Sequence, residues 1–247
     1  RQILQHLYER EHYRFHAEVE AVLLADNIRF HIKETVLAVL ANLVAPTSAD
    51  AELVLRIAST HPRFEGLLWQ HLCRPQWFVR FHEDTKISAW LHGANEDMRN
   101  YALNSMASAV NDYPGQITEL LVSRKTAPGY HDWLRRIIRY ADVCRDRELF
   151  TLVLEAVRHG AYDTVEHELW LVMHDLAKHE PLWAIELLQA RLIDHMDFLT
   201  LNENSRVPLF DTRESFAFEL VKDAADAEPL AFVQAIVPYL RQVMAAT

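Results

Sequence analysis

The feature that most restricts this chain is a pattern it carries twice. Pro114, Gly115, Gln116, Ile117, Thr118, Glu119, Leu120, Leu121, Val122, Ser123 and Arg124 run parallel to Pro181, Leu182, Trp183, Ala184, Ile185, Glu186, Leu187, Leu188, Gln189, Ala190 and Arg191. In both, Glu-Leu-Leu starts five residues after the proline and Arg falls at ten. Apolar residues stand four, eight and eleven positions ahead of each proline: Val110, Met106 and Leu103 before the first, Ala177, Met173 and Trp170 before the second. That spacing is one face of an α-helix. The same offsets give Ala58, Val54 and Ala51 before Pro62, and Ala225, Val221 and Phe218 before Pro229.

A proline in the first turn of a helix loses no hydrogen bond, whereas the residue before it resists helical geometry. Each unit therefore reads as helix, short turn, helix. Two short-linked amphipathic helices leave apolar faces uncovered, so neighbouring pairs must stack to bury them. The prolines are unevenly spaced, which points to an all-α fold: an α-solenoid of stacked antiparallel helix pairs, a degenerate HEAT-like array. Composition agrees, because half of the residues are apolar and only five are glycine, too few for the tight turns of a β-protein. Helices are expected over 1–26, 29–44, 48–59, 63–72, 76–92, 96–112, 115–124, 129–142, 146–159, 163–178, 181–195, 212–225 and 229–245. No linker rich in Gly, Ser or Pro divides them, so residues 1–247 read as one domain. The longest stretch without helical periodicity, Met196 to Asp211, is read as a connector before it is read as a contact site.

A net charge of −10 opposes phosphate backbones and weighs against nucleic acid as partner. The basic run Arg135, Arg136, Arg139, Arg145 and Arg147 is the one stretch that could build a nucleic-acid face, and its first three members read better as a solvated helix face. No apolar run is long enough to span a membrane, and the first residues do not resemble a signal peptide. Cys73 and Cys144 form no paired motif, which fits a reducing compartment, and the expected location is the cytoplasm. The chain opens on Arg1, so a fragment of a longer multidomain protein is expected.

Fourteen histidines call for a search for metal or acid-base chemistry. The densest region holds Asp163, His167, Glu168, His174, Asp175 and His179, within residues 159–179. Asp163, His167 and His174 share a helix face. His167-Glu168 fails the HExxH pattern because Leu171 takes the last position. A metal-dependent helical hydrolase centred on His167, His174 and Asp175 is therefore the alternative reading, and solvation or capping the preferred one. His12 and His16, four apart with Glu9 and Glu20 on a similar face, read as an ordinary exposed pair. GxxxxGK[ST], GxGxxG and GxSxG are all missing. Arg145 and Arg147 could lower the pKa of Cys144, but no base can be assigned to it, so a bystander thiol is expected. No catalytic, cofactor-binding or metal residue is assigned, and no cofactor is expected. The six tryptophans, Trp69, Trp77, Trp90, Trp133, Trp170 and Trp183, read mainly as packing. The acidic groups Asp142, Asp146 and Glu148, and Asp223, Asp226 and Glu228, read as solubility and capping features.

Several segments carry a family resemblance in order: Arg29-Phe30-His31-Ile32-Lys33, Val36-Leu37-Ala38-Val39-Leu40, Pro75-Gln76-Trp77-Phe78, Trp90-Leu91, and Pro114 to Leu121. Together they resemble the helical-repeat region that follows the nucleotide-binding module of large bacterial STAND NTPases, including the AVAST-type anti-phage proteins. The resemblance covers residues 29–190. It implies a sensor or scaffold region whose recognition of a target, a phage protein in the defence systems, drives oligomerisation of an ATPase module. The ATPase motifs are missing here, so the resemblance implies neither ATP binding nor hydrolysis by this chain and transfers no catalytic residue. The sequence thus points to a non-enzymatic, protein-binding helical scaffold, and it leaves the oligomeric state open.

Overall fold

The structure, a computed structural model, describes residues 2–60, 62–158, 162–190 and 222–246. All regular elements among them are helical. The chain divides into two compact units, Arg1–Tyr113 and Pro114–Thr247. The first holds α1 (Gln2–Arg10), α2 (His12–Leu24), α3 (Phe30–Ala41), α4 (Ser48–Thr60), α5 (Pro62–Leu72), α6 (Pro75–Glu83), α7 (Lys86–His92) and α8 (Glu96–Ala109). The second holds α9 (Pro114–Val122), α10 (Tyr130–Ile138), a 3-10 turn over Val143–Arg145, α11 (Arg147–Arg158), α12 (Tyr162–His179), α13 (Pro181–Gln189) and α14 (Pro229–Ala246).

Pro62, Pro114, Pro181 and Pro229 each open a helix, and so does Pro75. The apolar stripes ahead of them face inward where they are described. Ala51, Val54 and Ala58 are buried, as are Leu103, Met106, Val110 and Ala177. Met173 and Ala225 are half-buried, and the side chains of Trp170, Val221 and Phe218 lie outside the described residues, as does the stretch Met196 to Asp211.

Two helices expected to be continuous are interrupted. Over 1–26 the chain breaks at Glu11, whose φ of −138° and ψ of 62° leave the helical region. Hydrogen bonds flank the break, with Glu11 N donating to Leu7 O at 2.8 Å and Phe15 N donating to Glu11 O at 2.9 Å, so Glu11 closes α1 and opens α2. Neither proline nor glycine stands there, which is why periodicity alone passes over it. Over 76–92 the break is Thr85, a β-branched residue in the left-handed region at φ 58°. Arg80 anchors the end of α6 there, reaching Asp84 at 2.7 Å and Glu83 at 3.1 Å. The expected 129–142 helix likewise stops at Ile138, with the 3-10 turn beyond it.

In the first unit, α5 to α8 converge on an aromatic core. Phe81 is fully buried, with ring centroids of Trp90 at 5.1 Å, Trp77 at 5.6 Å and Tyr101 at 6.1 Å. Trp69 lies 4.7 Å from Tyr101. Each fully buried large side chain of this kind contributes roughly 1.5–3 kcal/mol of transfer free energy. On α2 the residues Phe15, Val19 and Leu23, at helical spacing, are all fully buried. On α4 the inward face runs Asp50, Val54, Ile57, so a carboxylate heads an otherwise apolar stripe. In the second unit, Phe150 stacks on Trp183 at 5.0 Å, and the Arg147 guanidinium lies 4.8 Å from both ring centres. Gly129, at φ 78°, supplies the left-handed turn from which α10 starts.

Candidate functional site

Asp50 is the group that demands explanation, because it is a fully buried carboxylate in the first unit. Its position follows from local chemistry. Thr47, Ser48, Ala49 and Asp50 form a reciprocal cap at the start of α4. Thr47 N donates to Asp50 Oδ2 at 2.7 Å, and Asp50 N donates to Thr47 Oγ1 at 3.2 Å. The Thr47 hydroxyl also lies 2.8 Å from Oδ2, and the Tyr8 hydroxyl donates to the same oxygen at 3.0 Å. Oδ2 is therefore supplied with three donors.

Oδ1 faces a different set. His16 Nε2 lies 2.6 Å from it in hydrogen-bond contact. His12 Nε2 lies 3.1 Å from the same atom but lacks hydrogen-bond geometry, and this buried nitrogen has no other partner. The two imidazoles sit one turn apart on α2, with centroids 4.5 Å apart, and the Tyr8 ring meets His12 edge-on at 4.7 Å. His12, His16 and Glu20 form a polar row beside the buried Phe15, Val19 and Leu23 stripe, so the row falls on the seam with α4. Farther along that seam Arg56 grips Glu20 through two bonds, at 2.8 and 3.0 Å.

Burial alone would raise the pKa of Asp50. The hydrogen bonds from His16, from Thr47 backbone and hydroxyl, and from Tyr8 outweigh it and hold the carboxyl below its ordinary range. Burial first, then the Asp50 charge and the hydrogen bond to it, push the Tyr8 phenol well above its usual value, so it remains a donor. The site is thus an ionised buried carboxylate with one oxygen committed to fixed donors and one turned toward two imidazoles. Such an arrangement can hold a cation or orient an imidazole.

Compared with models of known families, with curated proteins and with solved structures, the chain finds no match.

His12 and His16, expected as an ordinary exposed pair, instead cover the buried Asp50. Their spacing was visible in the sequence, but the carboxylate that joins them comes from another helix. The signal that could have located Asp50 is the Thr-x-x-Asp cap, which places it in the first turn of α4. Of the other histidine-rich segment, His174 and Asp175 are exposed, and His174 Nε2 lies 2.6 Å from Lys178 Nζ. The side chains of Asp163, His167 and Glu168 lie outside the described residues.

The Cys144 thiol is pushed up to about 11, by burial first and then by Asp142, Asp175 and Glu180. That corrects the expectation that Arg145 and Arg147 could lower it: Arg145 pairs with Asp142 at 2.7 Å and Arg147 with Glu186 at 2.8 Å. A cavity of about 180 Å³ beside it is lined by Ile138, Val143, Leu171, Val172 and Asp175. The thiol there is a poor nucleophile. Asp146 accepts from Glu148 N and Leu149 N, both at 2.9 Å, which makes it the N-cap of α11. Among the basic run, Arg135 lies 3.4 Å from Asp132, so Arg135, Arg145 and Arg147 each have a carboxylate at hand. No described helix is long and apolar enough to cross a membrane.

Proposed function

We propose that this chain is a helical-repeat scaffold, an α-solenoid of stacked antiparallel pairs that presents a surface to a partner protein. The observation that supports this reading most is the order of packing. In the first unit α2 packs on α1, α3 and α4; α5 on α3, α4 and α8; and α6 on α4, α7 and α8. In the second unit α9 packs on α11, α10 on α12, and α13 on α11, α12 and α14. Helices thus pack chiefly on those close to them in the chain, as elements of a stacked array do. The prolines that open α5, α9, α13 and α14 mark where each pair would turn.

The resemblance to the sensing region of STAND NTPases is compatible with this reading and makes a phage protein the partner. The test is affinity capture with the whole chain as bait, in lysates of phage-infected and uninfected bacteria, followed by titration of the purified candidate. Saturable binding of one phage protein supports the sensor reading. Recovery of nothing above the bait-free control from either lysate counts against a protein-binding scaffold.

A further inference from the structure

We propose that His12, His16 and Asp50 bind one divalent transition-metal ion, with zinc(II) the fitting member of the class. One candidate donor atom from each of the three lies within 4.8 Å of the others. A tetrahedral zinc ion with ligands at about 2.0–2.1 Å separates its donors by about 3.3 Å, so small side-chain rotations would complete the geometry from the present 2.6 and 3.1 Å.

Three features argue for a cation rather than for a hydrogen-bonded brace alone. His12 Nε2 is buried and unpartnered, although it faces a carboxylate oxygen. A brace leaves that nitrogen unsatisfied, whereas an ion between the three groups uses it. The Asp50 oxygens are divided: Tyr8 and Thr47 occupy Oδ2 and fix the plane of the carboxylate, which leaves Oδ1 for a ligand. Donors of that kind behind a coordinating carboxylate orient it and raise affinity. Finally, the carboxylate is fully buried, and a cation beside it compensates its charge.

The donor set also selects among ions. Two imidazoles with one carboxylate suit zinc and its first-row neighbours, whereas calcium and magnesium take oxygen ligands. Three protein ligands leave the fourth position of a tetrahedral ion to water. His16 exchanges its present contact with Oδ1 for a bond to the ion.

The experiment uses the full chain without a histidine tag, stripped with chelator and titrated with cobalt(II) and then zinc(II). We expect intense visible bands of four-coordinate cobalt that saturate at one equivalent, bleached by one equivalent of zinc. In the double variant His12→Gln/His16→Gln the bands disappear, while circular dichroism shows the helices intact. Tyr8→Phe keeps the ligands but loses a donor to Oδ2, and weakens binding about tenfold. Bands that persist in the double variant would place the ion on other histidines and overturn the proposal. So would a wild-type chain that gives only weak six-coordinate cobalt spectra.

Discussion

His16 Nε2 lies 2.6 Å from Asp50 Oδ1, which ties the middle of α2 to the first turn of α4 across 34 residues of chain. That one contact joins a half-buried histidine to a fully buried carboxylate. Removing the carboxylate strands four donors at once: His16, Tyr8, and the Thr47 amide and hydroxyl. Asp50→Ala should therefore cost about 3–5 kcal/mol, in the range for breaking a buried charged network. Asp50→Asn keeps the shape and one acceptor oxygen, and should cost about half as much. Urea denaturation followed by circular dichroism measures both, and equal losses would mean that side-chain volume matters rather than hydrogen bonding.

The pH dependence of that loss has a definite sign. The carboxyl of Asp50 is held below its ordinary range in the fold, while in the unfolded chain it titrates near 3.9. Its stabilisation is fully present above the unfolded value and disappears as pH falls through the folded one. The stability gap between wild type and Asp50→Asn should hold down to about pH 5 and then narrow toward pH 3. A gap that widens on acidification would show that the folded carboxyl is protonated first.

Much of the fold is legible in the sequence because proline acts locally: Pro62, Pro114, Pro181 and Pro229 each start a helix, as the spacing predicts. The breaks at Glu11 and Thr85 are not legible, because neither residue type forbids helix. The candidate site was half visible. The spacing of His12 and His16 is a local signal, whereas their meeting with Asp50 depends on how α2 packs on α4. The Thr47 cap fixes where Asp50 sits on its helix but says nothing of which helix covers it.

Thr85 offers a test of stored strain. Its backbone sits at φ 58°, ψ 11°, where a β-branched residue is disfavoured by roughly 1–2 kcal/mol. Thr85→Gly removes that penalty and gives part of it back through the greater freedom of the unfolded chain. A net gain of up to about 1 kcal/mol is expected, seen as a raised thermal midpoint. A loss of stability would mean that the Thr85 side chain contributes more than its backbone strain takes away.

Glu20 and Arg56 join the same two helices as Asp50 but should matter far less. Their side chains are 29% and 52% exposed, and Arg56 holds Glu20 below its usual carboxylate range chiefly through their hydrogen bond. A double-mutant cycle with Glu20→Gln and Arg56→Gln should give a coupling of about 0.5 kcal/mol, reduced by added salt. Coupling much above 1 kcal/mol that survives molar salt would show that this end of the seam excludes water.

The stacked-array reading makes a prediction about how damage spreads. Phe81 is fully buried among Trp69, Trp77, Trp90 and Tyr101, and Phe81→Ala should cost about 3–5 kcal/mol in the unit Arg1–Tyr113. In an array whose helices pack mainly on near neighbours in the chain, local stability is set by local contacts. Amide hydrogen exchange resolved by peptide should then show the greatest loss of protection in α5 to α8, with α11 to α13 much less affected. A uniform loss across all of these helices would mean that the chain unfolds as one cooperative body, and it would count against stacked repeats, because in them the cost of a cavity falls first on the elements that line it.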